Sequence, residues 1–560
     1  MEGRLRVTLR TRVRRLALIL YALLTPLAFP QELPGGGSFD GGLVFAWLIP
    51  AALVLGVEGL APRAAARSAF LASMVAHCLV FYWFMVVTVV YGGMPPLIGI
   101  LAPIVPALYV SLFTALFAAG WTWLGGESES LGGADEGGAS PLGVALSGAA
   151  LWVAVDWARG HFLGGFPWAT LGYALHLDLP LLAWTRWGGV YVLSFMAALL
   201  GLSLALFVRD RSTVAMKTLI GVVVALLLAH GLGFGLQGRV SDEAPKIRVA
   251  AIQGNIEQGQ KWDASRRQQI FETYLRLSEE AATAGAEWIV WPETAVPGYL
   301  EYDAALRSQL AELAGRFGVT FFVGGMGIDL DPTSGRPSAY YDSAFVMDPS
   351  GRLVDRYDKT HLVPFGEFVP LRGLLGHVFQ SLATGLATSD VTPGSRPRTL
   401  GIEGGLRPDG ASGVYRVGIP ICYELLFPHL VRQFGEQEAG LLLAITNDAW
   451  YGRTGAPHQF LAMTAMRAAE SGLFTVRAAN TGISAIIEPN GKVTQASALF
   501  EEAIVMGEIR VQNGAEATFY SRFGDGFAAL CIGWTGLLGV RLFRDRRRAS
   551  VRGQEEGLAE

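Results

Sequence analysis

A series of long apolar segments constrains this chain more than any other feature of its sequence. Seven of them fill most of the first 240 residues and an eighth lies near the C-terminus, at about 15–30, 42–59, 68–91, 97–122, 142–163, 187–208, 214–236 and 525–543. A helix needs roughly 20 consecutive apolar residues to cross a bilayer. The segments therefore predict a polytopic α-helical membrane domain of about eight spans.

The composition between residues 241 and 520 is that of an ordinary water-facing domain. Only 16% of the 560 residues are charged, whereas a typical soluble protein has about 25% charged residues. This deficit is confined to the apolar segments. We therefore expect an N-terminal membrane domain at 1–240, a folded domain at 241–520, and a C-terminal span with a basic tail at 521–560.

Arginine residues at both ends of the chain predict its orientation. They precede the first apolar segment and follow the last, at Arg4, Arg6, Arg10, Arg12, Arg14, Arg15, Arg541, Arg544, Arg546, Arg547 and Arg548. Cytoplasmic segments next to membrane helices are enriched in Lys and Arg. With eight spans both termini lie in the cytoplasm, and the domain at 241–520 lies on the opposite side. The first segment has no small-residue cleavage site after it, so we expect it to be retained.

Several classes of function find no support in the composition. The net charge of −4 and the lack of a basic stripe interleaved with aromatic residues give no sign of nucleic-acid binding. Three scattered cysteines form no disulfide framework and no zinc pattern. Eight histidines without a closely spaced pair do not indicate a metal site. We expect neither a metal nor a nucleic-acid partner.

Between residues 246 and 510 short β-branched runs alternate with helical patterns at 263–284, 303–317 and 457–471. The runs predicted as strands are KIRVAAIQGN, EWIVWPET, TFFVGGMG, SAFVMDP, YRVGIPICYE, LLLAITNDAW, FTVRAANTGISAIIEP and AIVMGEI. Such alternation predicts an α/β layered domain with both sheet faces covered. Catalytic residues in such domains commonly lie in the loops that follow strands.

Three segments in this part of the chain contain residues suited to nucleophilic catalysis. IVWPET ends near Glu293, RYDKTHLVPFGEFVP contains Lys359, and GIPICYE contains Cys422, the one cysteine outside the apolar segments. A free thiol is mostly protonated at neutral pH, so a nucleophilic cysteine needs a nearby base or positive charge. A carboxylate can accept the proton, and a lysine can stabilise the negative charge that develops on the substrate.

In their order along the chain, WPET, YDKTHLVPFGEFVP, GIPICYE and TNDAWYG resemble the nitrilase superfamily. LVPFGEFVP together with eight spans resembles the apolipoprotein N-acyltransferase family in particular. The resemblance implies an α-β-β-α sandwich for 241–520, with Glu293 as general base, Lys359 as oxyanion-stabilising cation and Cys422 as nucleophile. It also implies substrate-binding or supporting roles for Glu367, Tyr423, Glu424, Trp262 in QKWD, and Gly165 and Trp168 in GFPW.

Two positions depart from the family pattern. Asp342 in YYDSA stands where the family usually has asparagine, and PHQF follows TNDAWYG in place of the usual PxQH. We expect the first to alter a supporting hydrogen bond and neither to disturb the triad. We expect NDAW in TNDAWYG to shape the cleft without acting in it. The apolar segment Leu371–Ala387 is interpreted either as a membrane-facing lid or as a packed helix of the domain core.

The resemblance implies a two-step acyl transfer that uses no cofactor. Cys422 attacks a phospholipid acyl ester, and the thioester is then attacked by the N-terminal amine of the diacylglyceryl-cysteine of an apolipoprotein. The expected partners are the bilayer, the phospholipid donor and the apolipoprotein acceptor, for a monomer with its domain on the periplasmic side of the bacterial inner membrane. Two alternatives stay open: a membrane-anchored nitrilase-type amidase that hydrolyses a small amide, and a non-catalytic lipoprotein-binding membrane scaffold.

Overall fold

The computed structural model describes residues 2–125, 140–237, 244–259, 261, 263, 265–368, 391–406, 412–511 and 517–556. Helices form the parts predicted to lie in the membrane. The longer ones are Glu2–Leu27, Ile49–Val57, Pro62–Val80, Ile104–Gly125, Pro141–His161, Val190–Asp210, Thr213–Leu236 and Gly526–Glu556. Shorter helical turns lie at Gly42–Phe45, Phe84–Val86, Val87–Tyr91, Pro96–Gly99, Phe162–Gly164, Leu171–Leu175, Leu179–Leu182 and Thr185–Gly188.

Several of these helices are candidate membrane spans. Five are long and apolar enough to cross a bilayer, namely Pro96–Gly125, Pro141–Gly164, Val190–Asp210, Thr213–Leu236 and Gly526–Arg548. Pro62–Val80 and Phe84–Tyr91 add a sixth if this pair, which is bent by 63°, is counted as one broken span. The predicted spans at 15–30 and 42–59 are not among them. The described residues therefore do not establish the predicted number of eight.

The candidate spans differ in how much of their surface they bury. In Val190–Asp210, 61% of the most apolar stretch is buried, whereas the corresponding share in Thr213–Leu236 and in Gly526–Arg548 is 11%. A helix that is apolar all round and mostly exposed is stable only where its surroundings are apolar too. Val190–Asp210 is thus a central helix, and the other two present apolar side chains to the surroundings of the bundle.

The strands are numbered here in chain order. They are β1 Gln31–Glu32, β2 Ser38–Phe39, β3 Lys246–Gln253, β4 Trp288–Val290, β5 Thr320–Leu330, β6 Pro337–Met347, β7 Leu353–Asp358, β8 Leu400–Leu406, β9 Ser412–Gly418, β10 Leu441–Thr446, β11 Thr475–Ala479, β12 Ala485–Ile487, β13 Val493–Ala496 and β14 Ala503–Arg510. One six-stranded sheet has the order β14-β3-β4-β5-β6-β7 and the other β13-β12-β11-β10-β9-β8. The central strands β3, β4 and β5 run parallel, as do β9, β10 and β11.

Alternating side chains on the strands separate a helix layer from a layer between the sheets. Ala250 and Ile252 of β3 pack in one cluster with the helices on the outer face of their sheet. Val249 and Ala251 lie in another cluster, which includes Val476 of the second sheet. This period of two is the pattern of a strand that is buried on both faces. The helices of the domain are Arg267–Thr283, Ala304–Phe317, Pro428–Glu436 and Gly455–Ser471. The α-β-β-α sandwich that the resemblance implies is confirmed.

The helix Gly455–Ser471, here called the junction helix, joins this domain to the membrane part. Trp168 donates its indole N–H to Gln459 Oε1 at 2.7 Å, and Gln459 donates to the carbonyl of Pro30 at 3.0 Å. Near the other end of the junction helix, Glu470 Oε1 accepts the backbone N–H of Val190 at 2.8 Å. Because these groups are buried, the two parts of the chain pack as one body at this junction.

Candidate active site

The structure brings the three predicted catalytic residues together. Glu293 follows β4, Lys359 follows β7, and Cys422 lies just beyond β9. Lys359 Nζ donates a hydrogen bond to Glu293 Oε1 at 2.9 Å. The charges of Glu293 and Lys359 both act on the pKa of the Cys422 thiol. Two sheets therefore contribute one set of reactive groups.

Cys422 lies in a strained turn at the start of the short helix Cys422–Leu426. Its φ of 45° is in the left-handed region, which costs energy for a residue with a side chain. Such strain is common where a side chain must be held in a functional position. Burial and the charge of Glu293 raise the pKa of the thiol well above its usual range, while Lys359 and a hydrogen bond from the backbone N–H of Asn447 oppose this. The resting thiol is therefore protonated.

Lys359 lies at the centre of three carboxyl groups. Its fully buried ammonium donates to Glu293 Oε1 at 2.9 Å, Asp342 Oδ2 at 3.3 Å and Glu367 Oε1 at 2.5 Å. One oxygen from each of these carboxyl groups lies within 4.8 Å of the other two, which is a spacing suited to a divalent cation. Lys359 is the cation that this set contacts, and the neighbouring charges raise its pKa against the effect of burial.

The three carboxyl groups around Lys359 do not share one protonation state. Burial and the charge of Glu293 raise the pKa of Asp342 well above its usual range, so that Asp342 is the member of this pair that favours its protonated form. Burial also disfavours ionisation of Glu293, but Lys359 and a hydrogen bond with Asp342 outweigh it and lower the pKa of Glu293 to about 2. Glu293 is thus the ionised member of the pair and the one able to accept a proton.

Glu367 and Glu424 occupy different positions relative to the triad. Glu367 contacts the Lys359 ammonium and accepts the backbone N–H of Val363 at 2.8 Å. Glu424 contacts neither Lys359 Nζ nor Cys422 through a side-chain hydrogen bond among the described residues. It accepts four hydrogen bonds, from Tyr357 Oη at 2.8 Å, Thr360 N at 2.7 Å, Thr360 Oγ1 at 2.6 Å and Ile421 N at 2.8 Å. Glu424 therefore joins the loop containing Lys359 to the turn containing Cys422.

Tyr423 is buried beside the nucleophile and packs against other rings. Its ring stacks on His361 with centroids 5.7 Å apart, and it meets Phe427 edge-on at 5.1 Å. The charges of Glu367 and Lys359 act on its pKa, which burial raises. Tyr423 therefore forms an apolar wall of the site, and its role in substrate binding stays a prediction.

Gly165 and Trp168 lie at the junction between the membrane part and the domain. Gly165 has φ 76°, and a Cβ at this position would lie 2.1 Å from the carbonyl oxygen of Gly160, so only glycine fits. Trp168 is 2% exposed and packs against Trp83, with ring centroids 4.8 Å apart. Both positions shape the junction, and direct contact with substrate stays a prediction for them. Trp262 and the segment 371–387 lie outside the described residues.

Two groups at the site are not among the residues predicted from the sequence. Lys261 is 4% exposed and donates from Nζ to the backbone carbonyl of Glu293 at 2.9 Å. Burial lowers the pKa of Lys261 to about 8, against the charge of Glu293. The backbone N–H of Asn447 lowers the pKa of the Cys422 thiol, and the expectation that NDAW shapes the cleft stays a prediction. A second cation and an amide donor thus belong to the site.

Two family models match large parts of this chain. The carbon-nitrogen hydrolase family matches residues 248–518, and the apolipoprotein N-acyltransferase N-terminal domain matches residues 21–203. A solved amidase from Nesterenkonia sp. is 19% identical, with a TM-score of 0.36, over 53% of this chain and 99% of the amidase.

Two curated relatives cover most of the chain. The apolipoprotein N-acyltransferase of Pseudomonas syringae pv. tomato is 33% identical over 460 residues, which is 81% of this chain and 84% of the relative. The apolipoprotein N-acyltransferase of Geobacter metallireducens is 34% identical over 534 residues, which is 94% of each chain. With this identity over nearly the full length of both proteins, the chain belongs to the apolipoprotein N-acyltransferase family.

Proposed function

We propose that this protein transfers an acyl chain from a membrane phospholipid to the N-terminal amine of the diacylglyceryl-cysteine of an apolipoprotein. The observation that carries the proposal is the buried set of Glu293, Lys359 and Cys422, packed next to helices that are apolar enough to cross a bilayer. An enzyme whose donor and acceptor are both lipids must meet them at the membrane. A soluble amidase gains nothing from such helices.

In the first step the sulfur of Cys422 attacks the carbonyl carbon of a phospholipid acyl ester. Glu293 takes the thiol proton as the C–S bond forms, because the resting thiol is protonated and Glu293 is ionised. The Lys359 ammonium stabilises the tetrahedral oxyanion, and one such donor is worth about 3–4 kcal/mol. When the C–O bond breaks, Glu293 returns the proton to the leaving oxygen. The products are an acyl thioester and a lysophospholipid.

In the second step the neutral amine of the acceptor attacks the thioester carbonyl. Glu293 accepts a proton from the attacking nitrogen as the C–N bond forms, and Lys359 again faces the oxyanion. The C–S bond then breaks, and the sulfur of Cys422 recovers its proton from Glu293. An amide is more stable than a thioester, so this step runs downhill and regenerates the resting site.

The first step can be tested directly with purified protein in phospholipid vesicles that contain no acceptor. We expect intact-mass and peptide mass spectrometry to show an acyl adduct on Cys422 that hydroxylamine removes. Cys422→Ala should show none, and Glu293→Gln should acylate about 10²–10⁴-fold more slowly because the general base is lost. A wild-type protein that forms no adduct would contradict the proposal.

The same preparation separates the two alternative functions. An amidase releases ammonia from a small amide and does not need phospholipid. A non-catalytic scaffold binds lipoproteins equally well with alanine at position 422. Acyl transfer to a diacylated lipopeptide that depends on both phospholipid and Cys422 excludes each of them.

We also infer that eight spans place both termini in the cytoplasm and the catalytic domain on the periplasmic side of the inner membrane. Arginine-rich ends and apolar helices on either side of residues 241–520 support this orientation. In cells with a permeabilised outer membrane, a membrane-impermeant thiol reagent should label Lys492→Cys in the domain and not Arg547→Cys in the tail. Both positions are exposed, so labelling of Arg547→Cys alone would reverse the assignment.

A further inference from the structure

The helix Pro141–His161 is followed by a turn whose apolar side chains face away from the protein. Phe162 is 60% exposed, and Leu163 is 84% exposed, the highest fraction for a large apolar side chain in the part of the chain that the structure describes. We call Phe162 and Leu163 the apolar tip. Neither the triad nor its supporting residues include them.

The backbone of the apolar tip is strained. Leu163 has φ 52° and ψ 40°, in the left-handed region, which costs energy for a leucine. Gly164 and Gly165 also have positive φ, and the N–H of Gly165 donates to the carbonyl of Phe162 at 2.9 Å. Strained positions persist where the surrounding structure enforces them, and they cluster at ligand-binding sites. Packing within the protein does not account for a leucine here, because most of its side chain is exposed.

The apolar tip continues the outer surface of a neighbouring candidate span. Tyr109 of the helix Ile104–Gly125 donates its hydroxyl to the carbonyl of Phe162 at 2.6 Å, and the rings of Phe113 and Phe162 meet with centroids 6.4 Å apart. Val105 of the same helix is exposed. An apolar span with exposed side chains needs apolar surroundings. The tip is therefore continuous with a surface that faces lipid chains.

A row of aromatic rings fixes the position of the apolar tip relative to the nucleophile. The successive pairs, with their centroid distances, are His161–His429 at 4.6 Å, His429–Phe427 at 5.7 Å, Phe427–His361 at 4.1 Å and His361–Tyr423 at 5.7 Å. His161 directly precedes the tip, and Tyr423 directly follows Cys422. One leaflet of the hydrocarbon core is about 15 Å thick. Four steps of 5.7 Å or less therefore separate the tip from the nucleophile by a distance of the order of one acyl chain.

The chemistry of the apolar tip distinguishes between parts of the substrates. Its two side chains have no group that would pair with a phosphate or a peptide, whereas a hydrocarbon chain gains from contact with them. The acyl chain that is transferred has its carbonyl carbon at Cys422, so its methyl end lies one chain length from the sulfur. The chains of the acceptor stay attached to its glyceryl group. The donor chain is thus the occupant that fits this position.

We propose that the apolar tip binds the methyl end of the acyl chain that the phospholipid donor delivers to Cys422. This inference rests on the proposed acyl transfer, and it adds a determinant of chain length. A chain too short to extend from the sulfur to the tip loses the contact, and its transfer is slower for that reason.

Photo-crosslinking tests the contact directly. Purified protein is incubated without acceptor in vesicles of phosphatidylethanolamine whose acyl chain has a diazirine near its methyl end. Mass spectrometry first measures the adduct on Cys422, and the sample is then irradiated. We expect peptide mapping to join the Cys422 peptide to residues 162–163 through the acyl chain. A donor with the diazirine near its carbonyl should not label the tip.

Leu163→Asn tests the effect on rate, because asparagine tolerates a positive φ and removes the apolar side chain. The matched control is Leu530→Asn, since Leu530 is 74% exposed on the last candidate span. The donors are dipalmitoyl- and dihexanoyl-phosphatidylethanolamine in detergent. For Leu163→Asn, we expect the second-order rate constant of Cys422 acylation to fall about tenfold with the 16-carbon chain, as loss of part of one leucine contact does. With the six-carbon chain it should stay within twofold of wild type. Leu530→Asn should match wild type with both donors.

Three results would overturn the inference while leaving acyl transfer intact. They are crosslinks from acylated Cys422 that lie away from residues 162–163, a Leu163→Asn variant with the wild-type preference for the long chain, and an equal loss of rate in Leu163→Asn and Leu530→Asn. A wild-type protein that forms no adduct on Cys422 overturns the proposed function itself. The adduct is measured before irradiation, so the two failures are distinguishable.

Discussion

The carboxyl group of Asp342 lies beside two other carboxyl groups and an ammonium. Its Oδ2 accepts from Lys359 Nζ at 3.3 Å, and its Oδ1 has no partner among the described residues. A proton on Asp342 resolves this, because the protonated carboxyl can donate to the Glu293 carboxylate. Such a carboxyl offers one donor and accepts at the other oxygen, as the asparagine side chain usual at this position does.

Asp342→Asn should therefore preserve the site. The amide donates to Glu293 and accepts from Lys359, so we expect acylation of Cys422 within about threefold of wild type. Asp342→Ala should acylate about 10–100-fold more slowly, because a buried hydrogen bond to a charged group is worth about 1.5–3 kcal/mol. Rapid-quench measurement of thioester formation compares the two. Equal damage in both variants would contradict a proton on Asp342.

Lys261 offers a pH-dependent test of the second cation. Its pKa is lowered to about 8 by burial, so the ammonium loses its charge as the pH rises through that value. We expect wild-type acylation to fall above pH 8. Lys261→Met should be about tenfold slower at pH 7 and lack this decline, because it has lost both the charge and the hydrogen bond to Glu293.

Lys246→Met is the matched control for Lys261→Met. Lys246 is an exposed lysine of β3 that pairs with Glu508 at the surface. We expect it to show the wild-type rate and the wild-type pH profile. If Lys261→Met kept a decline near pH 8, the titration would belong to another group and Lys261 would be only a structural donor.

At the level of single residues, the sequence predicted the catalytic residues that stand in recognisable motifs. It missed the residues that only the fold brings to the site. Glu293, Lys359 and Cys422 follow strands and stand in recognisable segments. Lys261 stands in the polar run QKWD, where a lysine resembles a solvated side chain, and only its placement against Glu293 shows burial. Asn447 acts on the thiol through its backbone N–H. Almost every residue type has this group, so the sequence gives no sign of it.

Glu424 connects two elements, and this sets it apart from Glu367. It accepts hydrogen bonds from the segment that follows β7 and from the backbone before Cys422. Glu424→Gln turns one acceptor oxygen into a donor that faces another donor. We expect its melting temperature and its acylation rate to fall together, because each unpaired buried group costs about 1–3 kcal/mol.

Glu367→Gln should behave differently, because Glu367 faces the Lys359 ammonium. We expect little change in melting temperature and a slower acylation with an altered pH profile, since one of the negative charges that raise the pKa of Lys359 is removed. Thermal unfolding in detergent and the acylation assay separate the two glutamates. A Glu424→Gln variant that is as stable as wild type but inactive would place Glu424 in the chemistry.

At the level of elements, the sequence predicted the interior of the sandwich and missed most of its edges. β7, β8 and β13 were not predicted, and they are edge strands, β7 in the first sheet and β8 and β13 in the second. All four residues of β13 are exposed, and β7 has the sequence LVDRYD, which is neither an apolar run nor a strict alternation. An apolar run or a strict alternation arises only where neighbours cover a strand. The central strands are covered by neighbouring elements, so their apolar patterns can be recognised in the sequence.

On the scale of the whole molecule, the relation between the membrane part and the domain was beyond sequence reasoning. Nothing in PHQFLAMTAMRAAES shows that its buried face meets the membrane part more than two hundred residues away, yet Gln459 and Glu470 hydrogen-bond to Trp168 and Val190 there. Neither the sequence nor the structure settles the number of spans, because a pair of helices bent by 63° counts as one span or none. Whether the number of spans is even or odd decides on which side of the membrane the catalytic domain lies.

Glu470 makes the junction sensitive to pH. It accepts from the first N–H of the helix Val190–Asp210 and pairs with Arg467 at 3.1 Å, and both side chains are buried. Burial raises the pKa of Glu470 to about 7 despite Arg467. In the unfolded chain a glutamate has a pKa of about 4.3. The proton therefore stabilises the folded state below about pH 4, and this contribution is lost as the pH rises to 7.

Glu470→Gln removes this dependence and keeps an acceptor for Val190 and Arg467. The wild type should lose roughly 3 kcal/mol from this group between pH 4 and 7, so its melting temperature should fall over that range relative to the variant. Above pH 8 the difference should be constant, because Glu470 is then ionised in both states. Thermal unfolding of wild type and variant in detergent at pH 4, 5, 6, 7, 8 and 9 measures this difference. A difference that does not change with pH would mean that the junction is held by packing alone, with no titrating group between membrane helix and catalytic domain.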